Sequence, residues 1–470
     1  MKTAMPFYEL SFLHFPAGDT LLYKKERDNM HAYGTMNIGE NGHLYIGGAD
    51  TAELAAQYGT PLYVYDTSLI RERARGFQNV FKEEGMRYQV AYASKAFSCM
   101  AVMQLAEEEG LSLDVVSGGE LHTALSAGFP PARIHFHGNN KSEEEIRFAL
   151  KAEIGCFVVD NEDELYLLEE ICRETGVSAS VLLRVTPGIE AHTHDYILTG
   201  QEDSKFGLDV QNGQATRALQ KAIQSEVLHV LGIHCHIGSQ IFETAGFTMA
   251  IQTLFQLIKE WDSELDYFPK VLNLGGGFGI RYTEEDTPLA PETYVKAMID
   301  EVKVQMKSFS GKTTPEIWIE PGRSLVGDAG TTLYKTGTQK DIPGIRRYVS
   351  IDGGMSDNIR PALYQAKYDA VLANRAAEKA SQEVSIAGKC CESGDMLIWD
   401  IKLPEVRKDD LLAVFCTGAY GYSMASNYNR MMKPAVVFVE NGDAQLVIRR
   451  ETFEDLTAQD LPLRRHSMSR

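Results

Sequence analysis

Between about residues 88 and 326, short apolar runs rich in Val, Ile and Leu alternate with longer amphipathic stretches. An apolar run bounded by turn residues reads as a buried strand, and an amphipathic stretch between two such runs reads as a helix. Eight runs are found, at 88–95, 111–117, 133–138, 156–160, 181–187, 230–240, 271–279 and 317–326. This alternation predicts repeated βα units that close into a (β/α)8 barrel, whose chemistry gathers where the loops leave the carboxyl ends of the strands. Several runs end in polar or glycine-rich residues, as that rule requires. The first ends in Lys95, the sixth carries His234, His236 and Ser239, the seventh ends in Gly275, Gly276 and Gly277, and the eighth carries Glu320 to Arg323.

After residue 326 the helical pattern gives way. Segments 347–351, 383–388, 396–401, 411–417 and 435–449 read as short strands between Gly, Pro and Asp turns, which predicts an all-β sandwich or barrel domain. Of two segments that precede the barrel, 44–48 and 61–66, the more N-terminal is expected to join the β domain in space. The predicted domains are a 1–29 extension, a 30–60 segment that belongs with the β domain, a barrel over 61–327 and the β domain over 328–470. Residues 1–29 lack steady periodicity, and Met30 offers a second start. They read either as an arm that packs on a partner subunit or as a mis-called start or loose tail.

Composition narrows the class. At 470 residues the chain exceeds one barrel of typical size, and 44% apolar residues suffice for large cores. A net charge of -19 argues against nucleic acid or an anionic membrane as partner. No run approaches the roughly 20 apolar residues needed to span a bilayer. Seven cysteines without CxxC spacing fit reduced thiols, so a cytoplasmic location is expected.

The strand ends suggest chemistry residue by residue. Lys95 ends an apolar strand, where burial would disfavour its charge and free the amine as a nucleophile. Lys205 is its rival, but lies in a loop. Gly275 to Gly277 read either as a turn or as a phosphate cradle, the latter favoured by their place after the seventh strand. Glu320 reads as a cap, an ion-paired carboxylate or a partner for a heterocyclic nitrogen. His234, Cys235 and His236 could suggest a metal site, but neighbouring strand residues face opposite ways and no further ligand has metal-site spacing, so no metal is expected. In the β domain, residues 388–395 place the thiol of Cys391 beside the carboxylate of Glu392.

Taken in order, Tyr-Ala-Ser-Lys at 92–95, His-Ile-Gly-Ser-Gln at 236–240, the glycines at 275–277, Glu-Pro-Gly-Arg at 320–323, Cys-Glu-Ser-Gly-Asp at 391–395 and Gly-Ala-Tyr-Gly at 418–421 form a specific set. The set resembles that of the diaminopimelate decarboxylase family, in the alanine-racemase-like group of pyridoxal phosphate enzymes. The likeness runs from about residue 40 to 460, and includes the spacers at 191–195 and 204–207. It implies decarboxylation of meso-diaminopimelate at its D-centre to L-lysine, the last step of lysine biosynthesis. Lys95 would hold the cofactor and His236 would stack on its ring. Cofactor contacts are implied for Ser239, Gly276, Gly277, Glu320, Pro321, Gly322, Arg323 and Tyr420. Substrate contacts are implied for Arg323, Arg360, Tyr364, Glu392 and Tyr420, where arginines suit a distal carboxylate and an acid suits the distal ammonium. Cys391 would protonate Cα, and its loop would reach the opposite subunit's site, implying a homodimer with shared sites. The chain departs from the family pattern at 430–433, where Arg-Met-Met-Lys precedes Pro434.

Rival expectations are a decarboxylase for another diamino acid, which Arg360 and Glu392 oppose, an alanine-racemase-like activity, which Cys391 opposes, and a non-catalytic relative, which should lack Lys95, Cys391 or Glu320.

Overall fold

A computed structural model describes residues 32–188 and 204–463. The 1–29 extension and the 191–195 spacer lie outside them. Eight parallel strands close into a barrel in chain order: Tyr88–Ala93, Ser112–Val115, Ile134–Phe136, Cys156–Val159, Ala179–Thr186, Leu228–His234, Val271–Asn273 and Glu316–Ile319, the last pairing with the first. These strands are almost wholly buried because helices cover their outer face and packed side chains fill the inner one, which is why they read as unbroken apolar runs.

Local signals set the helices. Ser142 and Glu145 form a capping box at the start of Glu143–Lys151, and Asn161 caps Glu162–Thr175. Helix Thr67–Glu83 turns Leu69, Ile70, Ala74, Phe77, Val80 and Phe81 inward, three and four residues apart, and so lies against the barrel on one apolar stripe.

The second sheet is mixed and includes Gly330–Ile342, Arg346–Ile351, Gln382–Ala387, Met396–Leu403, Leu411–Val414 and the hairpin Ala435–Glu440 and Asp443–Ile448. Its central strand comes from before the barrel. Leu62–Asp66 runs antiparallel to Gly330–Ile342 and parallel to Ala435–Glu440, and all five of its residues are buried. The strand that enters the second sheet is therefore 62–66, while segment 44–48 lies against that domain without joining its sheet: the Gly442 N–H donates to the Gly47 carbonyl at 2.7 Å. Segment Leu44–Ile46 instead pairs with Asn37–Ile38 and Ala49–Asp50 in a small antiparallel sheet, because Gly47 and Gly48, at φ +60° and +80°, turn the chain back on itself. The junction is sharp: the Asp66 N–H donates to the Ala329 carbonyl at 2.9 Å, and its carboxylate caps the next helix by accepting from Leu69 N–H at 3.2 Å. Among the described residues, no helix is long and apolar enough to cross a membrane.

Candidate active site

Where the barrel strands end, a cavity of about 1400 Å³ opens towards the second sheet. Lys95, His236, Ser239, Gly276, Gly277, Glu320, Gly322, Arg323, Arg360, Tyr364 and Tyr420 all line it. Pro321 does not; its carbonyl accepts from Ala93 N–H at 3.2 Å and continues the ladder of the first strand. Lys205, the rival lysine, is exposed outside the cavity with its Nζ 4.9 Å from the Phe206 ring centre.

Lys95 sits in a single 3-10 turn, Ser94–Ala96, immediately after the first strand. The β domain is fastened to that turn, since Tyr420 N–H donates to the Ala96 carbonyl at 2.8 Å. Water reaches Lys95 through the cavity, yet the amine lies deep in the protein. Burial is the largest influence on it and opposes its charge, but Asp114, Tyr420 and Glu320 together outweigh that and hold the amine above its ordinary range. The expectation of a lysine neutralised by burial is thereby corrected: with these acids beside it, the resting group is an ammonium.

Glu320 is buried at the end of the eighth strand, with Asn273, His234 and His137 around it. Asn273 Nδ2 donates to Oε1 at 2.6 Å, His234 Nε2 lies 3.1 Å from Oε2, and His137 Nε2 lies 2.9 Å from Oε1. Burial alone would raise its pKa, but the two imidazoles hold it well below the usual carboxylate range, so Glu320 is ionised. Burial keeps His234 below its ordinary value and pushes Asp114 up to about 6, the latter against the pull of His137 and with the push of Glu320. His137, His234 and Glu320 also place three ligand atoms within 4.8 Å of one another, near enough to hold a metal ion. Sequence spacing could not show this, because the three residues come from three strand ends far apart in the chain.

His236 is held well below its ordinary pKa, first by burial and then by the Lys95 charge. Gly276 N–H donates to its Nδ1 at 3.2 Å, which fixes the neutral ring with the proton on Nε2. The glycines serve close backbone approach as well as any cradle. A Cβ on Gly276 would come 2.1 Å from the Glu320 carbonyl, and one on Gly277, at φ +105°, would come 2.4 Å from the Gly238 carbonyl. With its N–H spent on His236, Gly276 orients the imidazole, and the phosphate reading rests on its neighbours and Ser239.

Arg323 and Arg360 are both buried, and among the described residues neither has a carboxylate partner. Arg323 donates to the Tyr282 hydroxyl and, at 3.1 Å, to Ser239 Oγ, while its guanidinium lies 4.9 Å from the Tyr420 ring centre. Arg360 donates to the Tyr368 hydroxyl at 2.6 Å and lies 4.7 Å from the Tyr282 ring centre. Two desolvated cations stacked on tyrosines and facing a cavity are suited to anionic groups of a ligand.

Cys391 and Glu392 do not meet the other groups. They are exposed on the loop between strands Gln382–Ala387 and Met396–Leu403 and do not line the cavity, whereas Cys390 beside them is buried. Sequence reasoning missed Asp114, His137, Arg184 and Asn273, each on or just past a barrel strand, and Tyr282 and Tyr368, which hold the arginines. For the first four, position at a strand's carboxyl end was the available signal.

Residues 67–327 match the family described as pyridoxal-dependent decarboxylase, pyridoxal binding domain. The diaminopimelate decarboxylase of Bacillus methanolicus is 68% identical over 90% of this chain and 98% of its own. That of Bacillus subtilis (strain 168) is 65% identical over 93% of this chain and 99% of its own. Among solved structures, the diaminopimelate decarboxylase of M. jannaschii in complex with L-lysine superposes with a TM-score of 0.84 at 37% identity, over 91% of this chain and 98% of its own.

Proposed function

The chain belongs to the pyridoxal-dependent decarboxylases and, within them, to the diaminopimelate decarboxylase family, and from that membership we propose how its residues divide the work. The reaction is decarboxylation of meso-diaminopimelate at its D-centre, giving L-lysine and carbon dioxide with pyridoxal phosphate as cofactor. The observation that carries the reading is one cavity holding the Lys95 side chain, an ionised carboxylate and two buried arginines without carboxylate partners among the described residues. The bound cofactor supplies an electron sink for the pair left on Cα when the carboxylate leaves.

Lys95 holds the cofactor through its Nζ. Ionised Glu320 would pair with the cofactor's ring nitrogen and keep it protonated, and that pairing would cancel part of the attraction that keeps Lys95 charged. His236, neutral and fixed at Nδ1, would pack against the cofactor ring. Arg323 and Arg360 hold the distal carboxylate of the substrate, with Tyr364 and Tyr420 beside it. Glu392 pairs with the distal ammonium. Cys391 donates its thiol proton to Cα; a C–C bond breaks, a C–H bond forms, and water restores the thiol proton.

The last two groups come from a second copy of the chain. Cys391 and Glu392 lie outside this chain's cavity, and about 1400 Å³ exceeds the roughly 300–1,000 Å³ usual for a small-molecule site, leaving space for an inserted loop. The assembly is thus a homodimer with two shared sites. Mixing Lys95→Ala chains with Cys391→Ala chains should regenerate activity, because half of the random dimers carry one intact site, giving about a quarter of wild-type activity under two-fold symmetry. No recovery on mixing would place Cys391 in its own chain's site.

Carbon dioxide release tests the substrate. Holoenzyme given meso-diaminopimelate, L,L-diaminopimelate, ornithine or arginine should release carbon dioxide from the meso isomer alone, with lysine as product. Release only from ornithine or arginine would overturn the role of the two arginines.

A further inference from the structure

The thiol proposed as proton donor is carried on an exposed loop, and a donor must be aimed to within a fraction of an ångström of its acceptor to act. We propose that Asn429 is a positioning residue that aims Cys391, acting with Asp395 as a two-point clamp on its backbone; this rests on the reading of Cys391 as the acid.

The clamp is visible bond by bond. Cys391 N–H donates to Asn429 Oδ1 at 2.6 Å. One residue earlier, Cys390 N–H donates to Asp395 Oδ2 at 2.8 Å, and the other oxygen of that carboxylate accepts from Met355 N–H at 2.6 Å. Asp395 is buried, so the root of the loop is fixed inside the domain. Asn429 is fixed as firmly from its own side. It adopts the left-handed conformation at φ +52°, which Asn tolerates better than most residues, and Arg430 follows at φ +56°. The Glu451 carboxylate accepts from Asn427 Nδ2 at 2.6 Å and from Lys433 N–H at 2.8 Å, bracketing the turn. A backbone turn bracketed on both sides spends less ordering entropy when its Asn429 side chain holds Cys391. The same 427–433 stretch contains the departure from the family pattern, which gives that stretch a task in this chain.

Asn429→Gly tests the clamp, because glycine accepts the left-handed backbone and removes only the acceptor. In the holoenzyme, kcat should fall about ten- to a hundredfold, as misplacement of a reacting group predicts, KM for meso-diaminopimelate should rise because Glu392 shares the loop, and cofactor absorbance should stay near wild type. Cys391, exposed in the single chain and reached in the proposed dimer through the partner subunit's cavity, should be alkylated faster by iodoacetamide in the substrate-free variant than in substrate-free wild type. Asn429→Asp keeps an acceptor and should restore most of the rate. On a Cys391→Ala background Asn429→Gly should cost little more, since the two act as one unit. Wild-type kcat and alkylation rate in Asn429→Gly, or an undiminished loss on the Cys391→Ala background, would overturn the proposal. Undiminished turnover in Cys391→Ala alone would remove the acid role, while the alkylation rate would still report on the clamp.

Discussion

Lys95→Ala should abolish the absorbance of lysine-linked cofactor and lower turnover on the order of 10⁴-fold, about 5.4 kcal/mol of barrier at 1.36 kcal/mol per tenfold. The reasoning is local. The 3-10 turn Ser94–Ala96 aims this amine into the cavity, and the rival Lys205 lies outside it. The fold should survive, because among the described residues Lys95 has no ion pair within hydrogen-bonding distance, and water already reaches its cavity. Borohydride reduction followed by peptide mapping checks the assignment: wild type should carry the label on Lys95 and the variant should carry none. A label that persists on another lysine would sink it.

Glu320→Gln should be nearly as severe for a different reason. An amide cannot ionise, so the ring nitrogen loses the partner that keeps its proton, and removal of one preorganised electrostatic partner costs on the order of 10²–10³ in kcat. Stability should fall as well. His137 and His234 approach the carboxylate at 2.9 and 3.1 Å, and an amide nitrogen facing one of them presents a donor to a donor. Urea unfolding read beside kcat separates the two effects. Wild-type kcat in a variant that unfolds at lower urea would leave Glu320 a structural role alone.

The eight barrel strands were legible because each is buried on both faces and so reads as a continuous apolar run. The runs overshot the strands where the following loop is itself packed: 230–240 was read, while the strand ends at His234. The β domain was harder. Gly330–Ile342 was missed because its second half is polar and exposed, losing the alternation that marks a strand. The run 435–449 is two strands joined at Asn441 and Gly442, both at positive φ, and the Asn-Gly pair was a readable hairpin signal. At the site, residues inside local motifs were legible, Lys95, His236, Glu320 and Arg323 among them. Those recruited only by closure of the barrel were not. Asn273 ends an ordinary strand and His137 follows one, and nothing in their neighbourhoods announces that Glu320 will arrive between them.

The central strand of the second sheet bears on how the chain is made. Leu62–Asp66 leaves the ribosome before any of the barrel, yet its neighbours Gly330–Ile342 and Ala435–Glu440 are synthesised only after the whole barrel. At about 5–20 residues per second, the strand waits roughly 20–70 seconds for the second of them. Until the first of them emerges, Leu62, Tyr63, Val64 and Tyr65, all destined for full burial, stand at the head of a growing barrel with neither hydrogen-bonding edge occupied. The nascent chain therefore carries a sticky, templating segment for most of its synthesis, and shielding by a chaperone or by the barrel's own surface is a condition of reaching the native state rather than a refinement of it.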